Sequence, residues 1–151
     1  MATDRDLHVA GSGSDRNDGS LNGPFRTISA AAHIARPGDT VTVHAGTYRE
    51  NVNPRVGGDN DIQCIVYRAA PGEDVIIKGS ERIEQWEAVG NGVWKTTIPN
   101  RFFGDYNPYR TLIAGDWFID NGRNHHTGEV YLNGRSLFEV DCLDRVTRPE
   151  P

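Results

Sequence analysis

Apolar positions along this chain come in short bursts. Ile28, Ala31, Ala32 and Ala35 recur at i, i+3, i+4 and i+7, which predicts one apolar stripe on a helix over 27–35. Thr27 suits its N-cap, and Pro37-Gly38 its stop. A helix of about two to three turns is too short to stand alone. Its small face suits a lid laid flat over other elements. Around it lie short β-like runs at 7–10, 40–45, 48–52, 62–69 and 75–79, with Val41 and Val43 on one face of the second. Residues 11–24 are a loop by composition. Short strands cornered by glycine, with no helices between them, have two readings. They are antiparallel meanders, or they are successive sides of a coil, a parallel β-helix. The run Val75-Ile76-Ile77 favours burial between stacked neighbours.

After about residue 80 the pattern changes. Alternating arms flank Gly90-Asn91-Gly92 within 86–98, and Asn133-Gly134 within 128–140. Both are hairpin signals, the second suited to a type I′ turn. An aromatic-rich stretch at 100–120 separates them. Hairpins and aromatics predict antiparallel sheet. A boundary therefore falls at 79–82, dividing the chain into 1–80 and 81–151. The last residues, 141–151, are polar and flanked by proline, and nothing there closes the second part.

Composition narrows the function classes. The chain has 151 residues, net charge −5, 17 glycines and 8 prolines. Many turns and short elements follow. Acidic and basic residues are mixed, and no Lys/Arg run suits a phosphate backbone, so nucleic acid is not an expected partner. No apolar stretch approaches the ~20 residues of a membrane span. The start "MATDRDLHVAGSGSD" lacks the basic, then apolar, pattern of a secretory signal. A cytoplasmic location, or a leader already removed, is expected. Cys64 and Cys142 have no metal-type spacing and read as free thiols of a reducing compartment.

Candidate chemistry is sparse. The carboxylates Asp39, Glu50, Asp59, Asp61, Asp105, Asp116 and Glu129 read as turn formers or solvated charges, with Asp39 capping the turn after Pro37-Gly38. Asp15 and Asn17 alternate faintly like a calcium loop, but Ser20 stands where that loop needs glycine. Adjacent His125 and His126 point apart in a strand, so no metal site is expected, nor any cofactor. His33 falls beside the alanine stripe as a packed or half-exposed residue. Phe102, Phe103, Tyr106, Tyr109, Trp117 and Phe118 carry more weight. They read as the core of a sheet domain, or as a sugar-facing wall, because aromatic faces suit a pyranose ring.

The segments "HVAGSGSDRNDGSLNGPFRTISAAAHIARPGDTVTVHAGTYREN" and "IVYRAAPGEDVIIKG" resemble the N-terminal cap and first turns of a pectin-lyase-like right-handed parallel β-helix. That pattern specifies fold better than function. The segments "GSERIEQWEAVGNGVWKTTIPNRFFGDYNPY", "GDWFID" and "GEVYLNGRSLFEV" resemble glycoside hydrolase family 120, the β-xylosidases. The resemblance implies a mainly β protein: the start of a right-handed parallel β-helix with an N-terminal capping α-helix, then part of an inserted antiparallel β-sandwich-like domain. The helix would plug the open end of the coil, shielding apolar stack and strand edges.

The resemblance also implies a function: an exo-acting β-xylosidase on xylo-oligosaccharides, working by a retaining double displacement. In that family the nucleophilic Asp and acid/base Glu lie on later coils, and no residue here matches them. No catalytic residue is expected in this chain. Trp117, His126 and Phe103 are the expected substrate-binding residues. Solenoid units need about three or more repeats to be stable, and no more than two turns precede residue 80. The chain therefore reads as an N-terminal fragment, inactive alone, melting weakly or self-associating into a homo-oligomer through the open end of its coil. Two alternatives remain open: a pectate-lyase-like polysaccharide lyase, and a non-catalytic β-helical carbohydrate-binding or structural module.

Overall fold

A computed structural model describes residues 4–148. The protein is mainly β and divides into two compact units, Met1–Arg82 and Ile83–Pro151. In the first unit, β1 (Asp6–Val9), β2 (Thr40–Val43) and β4 (Val66–Ala69) form one parallel ladder in the order β1-β2-β4. A second parallel ladder joins β3 (Gly46–Arg49) to β5 (Val75–Lys78). The chain thus leaves the first ladder after Val43, enters the second at Gly46, and repeats the alternation at Val66 and Val75. Of the two readings open in the sequence, the meander fails in this unit. Every strand pair here is parallel, the arrangement of a coil.

Register puts the apolar rows inward. Leu7 stands opposite Val41, and Val41 opposite Tyr67; Val9 stands opposite Val43, and Val43 opposite Ala69. Leu7, Val9, Val41 and Val43 are buried, with Tyr48 of β3 and Phe25 beside them. Tyr67 and Ala69 are exposed because β4 is the last rung of its ladder. There the apolar stack ends in an open pit of about 340 Å³, lined by Val43, Val52, Tyr67, Ala69, Val75 and Ile77 among others.

Helix α1 (Ile28–Ile34) packs on β1 and β2, and Ile28, Ala31, Ala32 and Ala35 are buried, the stripe read from the sequence. Alanine's small side chain lets so short a helix lie close to the strands. The first turn of a helix leaves N–H groups without intrahelical partners. Here all are taken. Asp15 Oδ1 accepts from the Arg26 and Thr27 N–H groups, both at 2.9 Å. Glu50 accepts from the Ile28 N–H at 3.0 Å, the Ser29 N–H at 2.7 Å and the Ser29 hydroxyl at 2.5 Å. The Thr27 hydroxyl accepts from the Ala30 N–H at 3.1 Å and donates to Asp15 Oδ2. Thr27 is therefore the N-cap. Asp15 and Glu50 both serve the helix start.

Asp39 is buried and does more than cap a turn. It accepts from the Arg36 N–H at 2.8 Å, from the Arg5 N–H at 3.1 Å, and from two guanidinium nitrogens of Arg5. Arg5 also donates to the Ile34 carbonyl at the helix end. Burial alone pushes the Asp39 carboxyl up, but Arg5 and the Arg36 and Arg5 N–H groups outweigh it and hold the group below the usual range.

Three sequence expectations shift. Strand β4 starts at Val66, not 62, because the Asn60 side chain captures the Ile62 and Gln63 N–H groups in a turn. Strand β3 covers 46–49 rather than 48–52, since Glu50 turns toward the helix. A short helix, α2 (Leu143–Thr147), lies where only polar chain was expected.

The second unit holds two antiparallel hairpins, β6 (Glu87–Gly90) with β7 (Val93–Lys95), and β8 (Val130–Leu132) with β9 (Arg135–Leu137). Asn91-Gly92 and Asn133-Gly134 all have positive φ (52°, 76°, 51° and 79°), as type I′ turns require. Each hairpin is its own two-stranded sheet, and no described residue of this unit is buried. No described helix is long and apolar enough to cross a membrane.

Two outcomes follow for the first unit. Glu50→Ala strips three donors of their charged acceptor and lowers stability by about 1–3 kcal/mol in urea unfolding followed by circular dichroism, with Glu50→Gln costing less. Because the folded Asp39 carboxyl sits below its unfolded value of about 3.9, its stabilisation is complete above that pH and is lost as pH falls through the folded value. Acid unfolding below about pH 4 is therefore steeper in the wild type than in Asp39→Asn.

Candidate functional site

The segment between the two hairpins is built by backbone pairing. Ile113 N–H donates to the His125 carbonyl at 2.8 Å, and Thr127 N–H to the Thr111 carbonyl at 2.9 Å. Leu112 and His126 form the antiparallel bridge between these bonds. Gly128 N–H continues the pairing to the Pro108 carbonyl. Glycine at 128 also leaves room for a neighbouring ring. A Cβ there would stand 2.6 Å from the Tyr109 ring, which lies across it.

Aromatic side chains gather on this frame in two groups. Phe103 contacts Phe102 and Tyr109 edge-on, with centroids 5.2 and 5.7 Å apart. Trp117 meets Phe118 at 6.1 Å, and Phe118 meets His125 at 5.9 Å. Phe103 therefore does not share a ring cluster with Trp117. It is joined to the His126 strand through Tyr109, whose hydroxyl donates to the Glu129 carbonyl at 3.0 Å. Tyr106 reaches the same strand by a 2.6 Å hydroxyl contact with Thr127. The sequence left these rings as core or as wall. In this unit they are not a buried core: Trp117 is 72% exposed, Tyr106 55% and Phe102 47%. The indole of Trp117 stands out as a flat, solvent-facing surface.

His126 is held from one side. Its backbone N–H donates to Glu139 Oε2 at 3.0 Å, and its Nδ1 lies 2.5 Å from Glu139 Oε1. Those two bonds, the backbone one larger, keep the Glu139 carboxyl below its ordinary range. An ionised carboxylate only accepts, so Nδ1 carries the hydrogen. Nε2 remains for another partner. Arg123 braces the same corner. Its Nη2 donates to the Glu139 carbonyl at 2.8 Å and lies 3.4 Å from His125 Nδ1, while its Nε is buried without a hydrogen-bond partner. Sequence reasoning missed both Glu139 and Arg123. A carboxylate thirteen residues from its histidine leaves no local spacing signal.

The other carboxylates considered are structural or exposed. Glu129 accepts from the Tyr131 hydroxyl and from Ser136, and that hydrogen bond, then its negative charge, push the Tyr131 phenol up. Asp59, Asp61, Asp105 and Asp116 are exposed. Cys64 and Cys142 are free and exposed. Among the described residues, no group of three or more His, Cys, Asp or Glu side chains is placed to hold a metal ion.

Comparison with known proteins bears on both units. Residues 83–151 match the model "Glycoside hydrolase 120, insertion domain", and residues 11–55 match "Protein of unknown function (DUF1565)". The chain is 35% identical over 92 residues to the uncharacterized protein YwoF of Bacillus subtilis, covering 61% of this chain and 18% of that protein. It is 34% identical over 77 residues to pectate lyase PEL9 of Emericella nidulans, covering 50% of this chain and 19% of that one. The solved complex of XylC with xylose superposes with a TM-score of 0.92 at 47% identity, over 96% of this chain and 23% of the XylC chain. The chain thus spans under a fifth of the curated relatives and about a quarter of XylC. The insertion-domain match thus spans the second unit, and the likeness to XylC runs through both.

Proposed function

We propose that this chain serves a retaining exo-β-xylosidase acting on xylo-oligosaccharides. Its first unit is the capped start of the β-helical scaffold, with α1 as the plug. Its second unit is part of an inserted sandwich-like domain that supplies a sugar-facing wall. The observation that carries this reading is the 47% identity with xylose-bound XylC over 96% of the chain. Two features of this chain support it. Trp117 offers an exposed indole face of the kind pyranose rings stack on. His126, held at Nδ1 by Glu139, keeps Nε2 as an acceptor for a sugar hydroxyl. Phe103, in the neighbouring ring cluster, would shape the same wall from the side of Tyr109.

Retaining glycosidases need two carboxyl groups about 5–5.5 Å apart, one as nucleophile and one as acid/base. Asp39 and Glu50 are committed to Arg5 and to the helix start, and Glu139 to His126. In this reading the chain's role is binding and scaffolding, and the reacting carboxylates lie on later coils of the β-helix, as the family resemblance implies.

Titrating xylose or xylobiose into the ¹⁵N-labelled chain shifts the Trp117 indole and His126 resonances, and Trp117→Ala weakens binding by about tenfold or more, since a lost stacking contact and its apolar area are worth about 1.5 kcal/mol or more. Shifts confined to other residues would contradict the assignment. An aryl β-xyloside added to the chain is hydrolysed at the uncatalysed rate; turnover near that of XylC would overturn the division of roles. Glu139→Ala speeds amide exchange at His126 by about tenfold or more, as expected when a bond to a charged acceptor is lost.

A further inference from the structure

Two imidazoles meet on the outer face of the first ladder. His8 belongs to β1 and His44 directly follows β2. Their rings are stacked at 22°, with centroids 5.3 Å apart, and His8 Nδ1 lies 3.1 Å from His44 Nε2. On one side, His44 Nδ1 lies 3.0 Å from Glu73 Oε1, and Glu73 Oε2 accepts from the Ala45 N–H at 2.6 Å. On the other, His8 Nε2 faces Asp6 Oδ2 at 4.0 Å. Asp6 in turn accepts from the Thr42 hydroxyl at 2.7 Å and from Arg68 of β4 at 3.2 Å. The Tyr48 hydroxyl of β3 donates to the His44 carbonyl at 2.8 Å. Asp6, His8, His44 and Glu73 thus form a row, with Arg68 and Tyr48 as the remaining titratable groups around it.

Donor counting fixes the protons. Glu73 is held below the ordinary carboxylate range, first by the Ala45 N–H and then by His44, so it is an acceptor only. His44 must therefore carry its hydrogen on Nδ1. In a neutral ring, His44 Nε2 then accepts, and His8 donates to it from Nδ1. That leaves His8 Nε2 bare, facing Asp6. A first added proton settles there, breaks no hydrogen bond and gains a carboxylate neighbour. A second has only His44 Nε2 to occupy, the atom that accepts from His8. Two donors would then face each other at 3.1 Å.

We propose that His8 and His44 form a one-proton clasp, which ties β1 to the exit of β2 and to the Glu73 turn while the pair holds at most one extra proton, and which opens when it takes a second. The unfolded chain has room for an added proton on each of these imidazoles, and the closed clasp has room for one. The unfolded state then binds more protons, so stability falls as pH falls, and the folding constant drops by up to about tenfold per pH unit.

The test combines imidazole ¹⁵N NMR of the full chain with urea unfolding from about pH 7.5 to pH 5, for the wild type, His8→Gln and His44→Gln. The expected result is a hydrogen on Nδ1 of both rings at the upper pH, protonation of the pair in two separate steps, and a pH slope of stability that flattens in either variant. The slope is the readout, so a variant that is less stable throughout still answers. If neither variant folds, the wild-type titration decides. Both rings doubly protonated in the intact fold at pH 5 would overturn the proposal, as would an unchanged slope in His8→Gln.

Discussion

The first unit depends on how the start of one short helix is neutralised. Helix α1 has seven residues, too few to be stable alone. Its exposed N–H groups are claimed by carboxylates from two loops far apart in sequence, Asp15 before it and Glu50 after it. Each bond fixes a loop as well as the helix. Asp15 fastens the glycine-rich stretch that leads in from β1, and Glu50 fastens the exit from β3. At the other end Asp39 and Arg5 tie the helix exit to the entrances of β1 and β2. The alanine stripe supplies apolar contact over Val9 and Val41, and the polar brackets set where that stripe lies.

The second unit is organised differently. Its hairpins are closed by their own turns, and its segments pair by backbone bonds, but its rings face solvent. Trp117, Tyr106 and Phe102 are among these exposed rings. Trp117 presents an exposed indole face, and His126 is braced at Nδ1 by Glu139. In the first unit the same chemistry, a histidine fixed by a carboxylate, is turned to holding strands together at His44 and Glu73. The two sites differ in what the far ring nitrogen meets: a second imidazole in one case, an open face in the other.

Much of this was legible in the sequence where a local rule decides. The Ile28–Ala35 stripe, the Thr27 cap and the two Asn-Gly turns need only nearby residues, and they appear where the pattern puts them. Strand pairing direction was not legible from periodicity, because short runs such as Val75-Ile76-Ile77 suit either a meander or a coil; the family resemblance carried that choice. Longer-range polar bonds were illegible. Nothing around Glu50 announces a helix start more than twenty residues earlier, nothing around Glu139 points to His126, and nothing around His8 points to His44. Asn60 shortened β4 by a side-chain turn that the apolar run at 62–69 had masked. Of the candidate site, the residue types Trp117, His126 and Phe103 stood out as aromatic or polar features of one stretch, while the braces that orient them did not.

The central claim is that α1 and the two ladders under it form one cooperative body because their polar brackets interlock. Native-state hydrogen exchange across a urea series measures this most directly. The account predicts that the amides of Ala31 to Ala35, Leu7 to Val9 and Val41 to Val43 open together, with one free energy and one urea dependence. Exchange of the helix amides at markedly lower free energy than the strands, with a separate urea dependence, would show a loosely attached helix and contradict it.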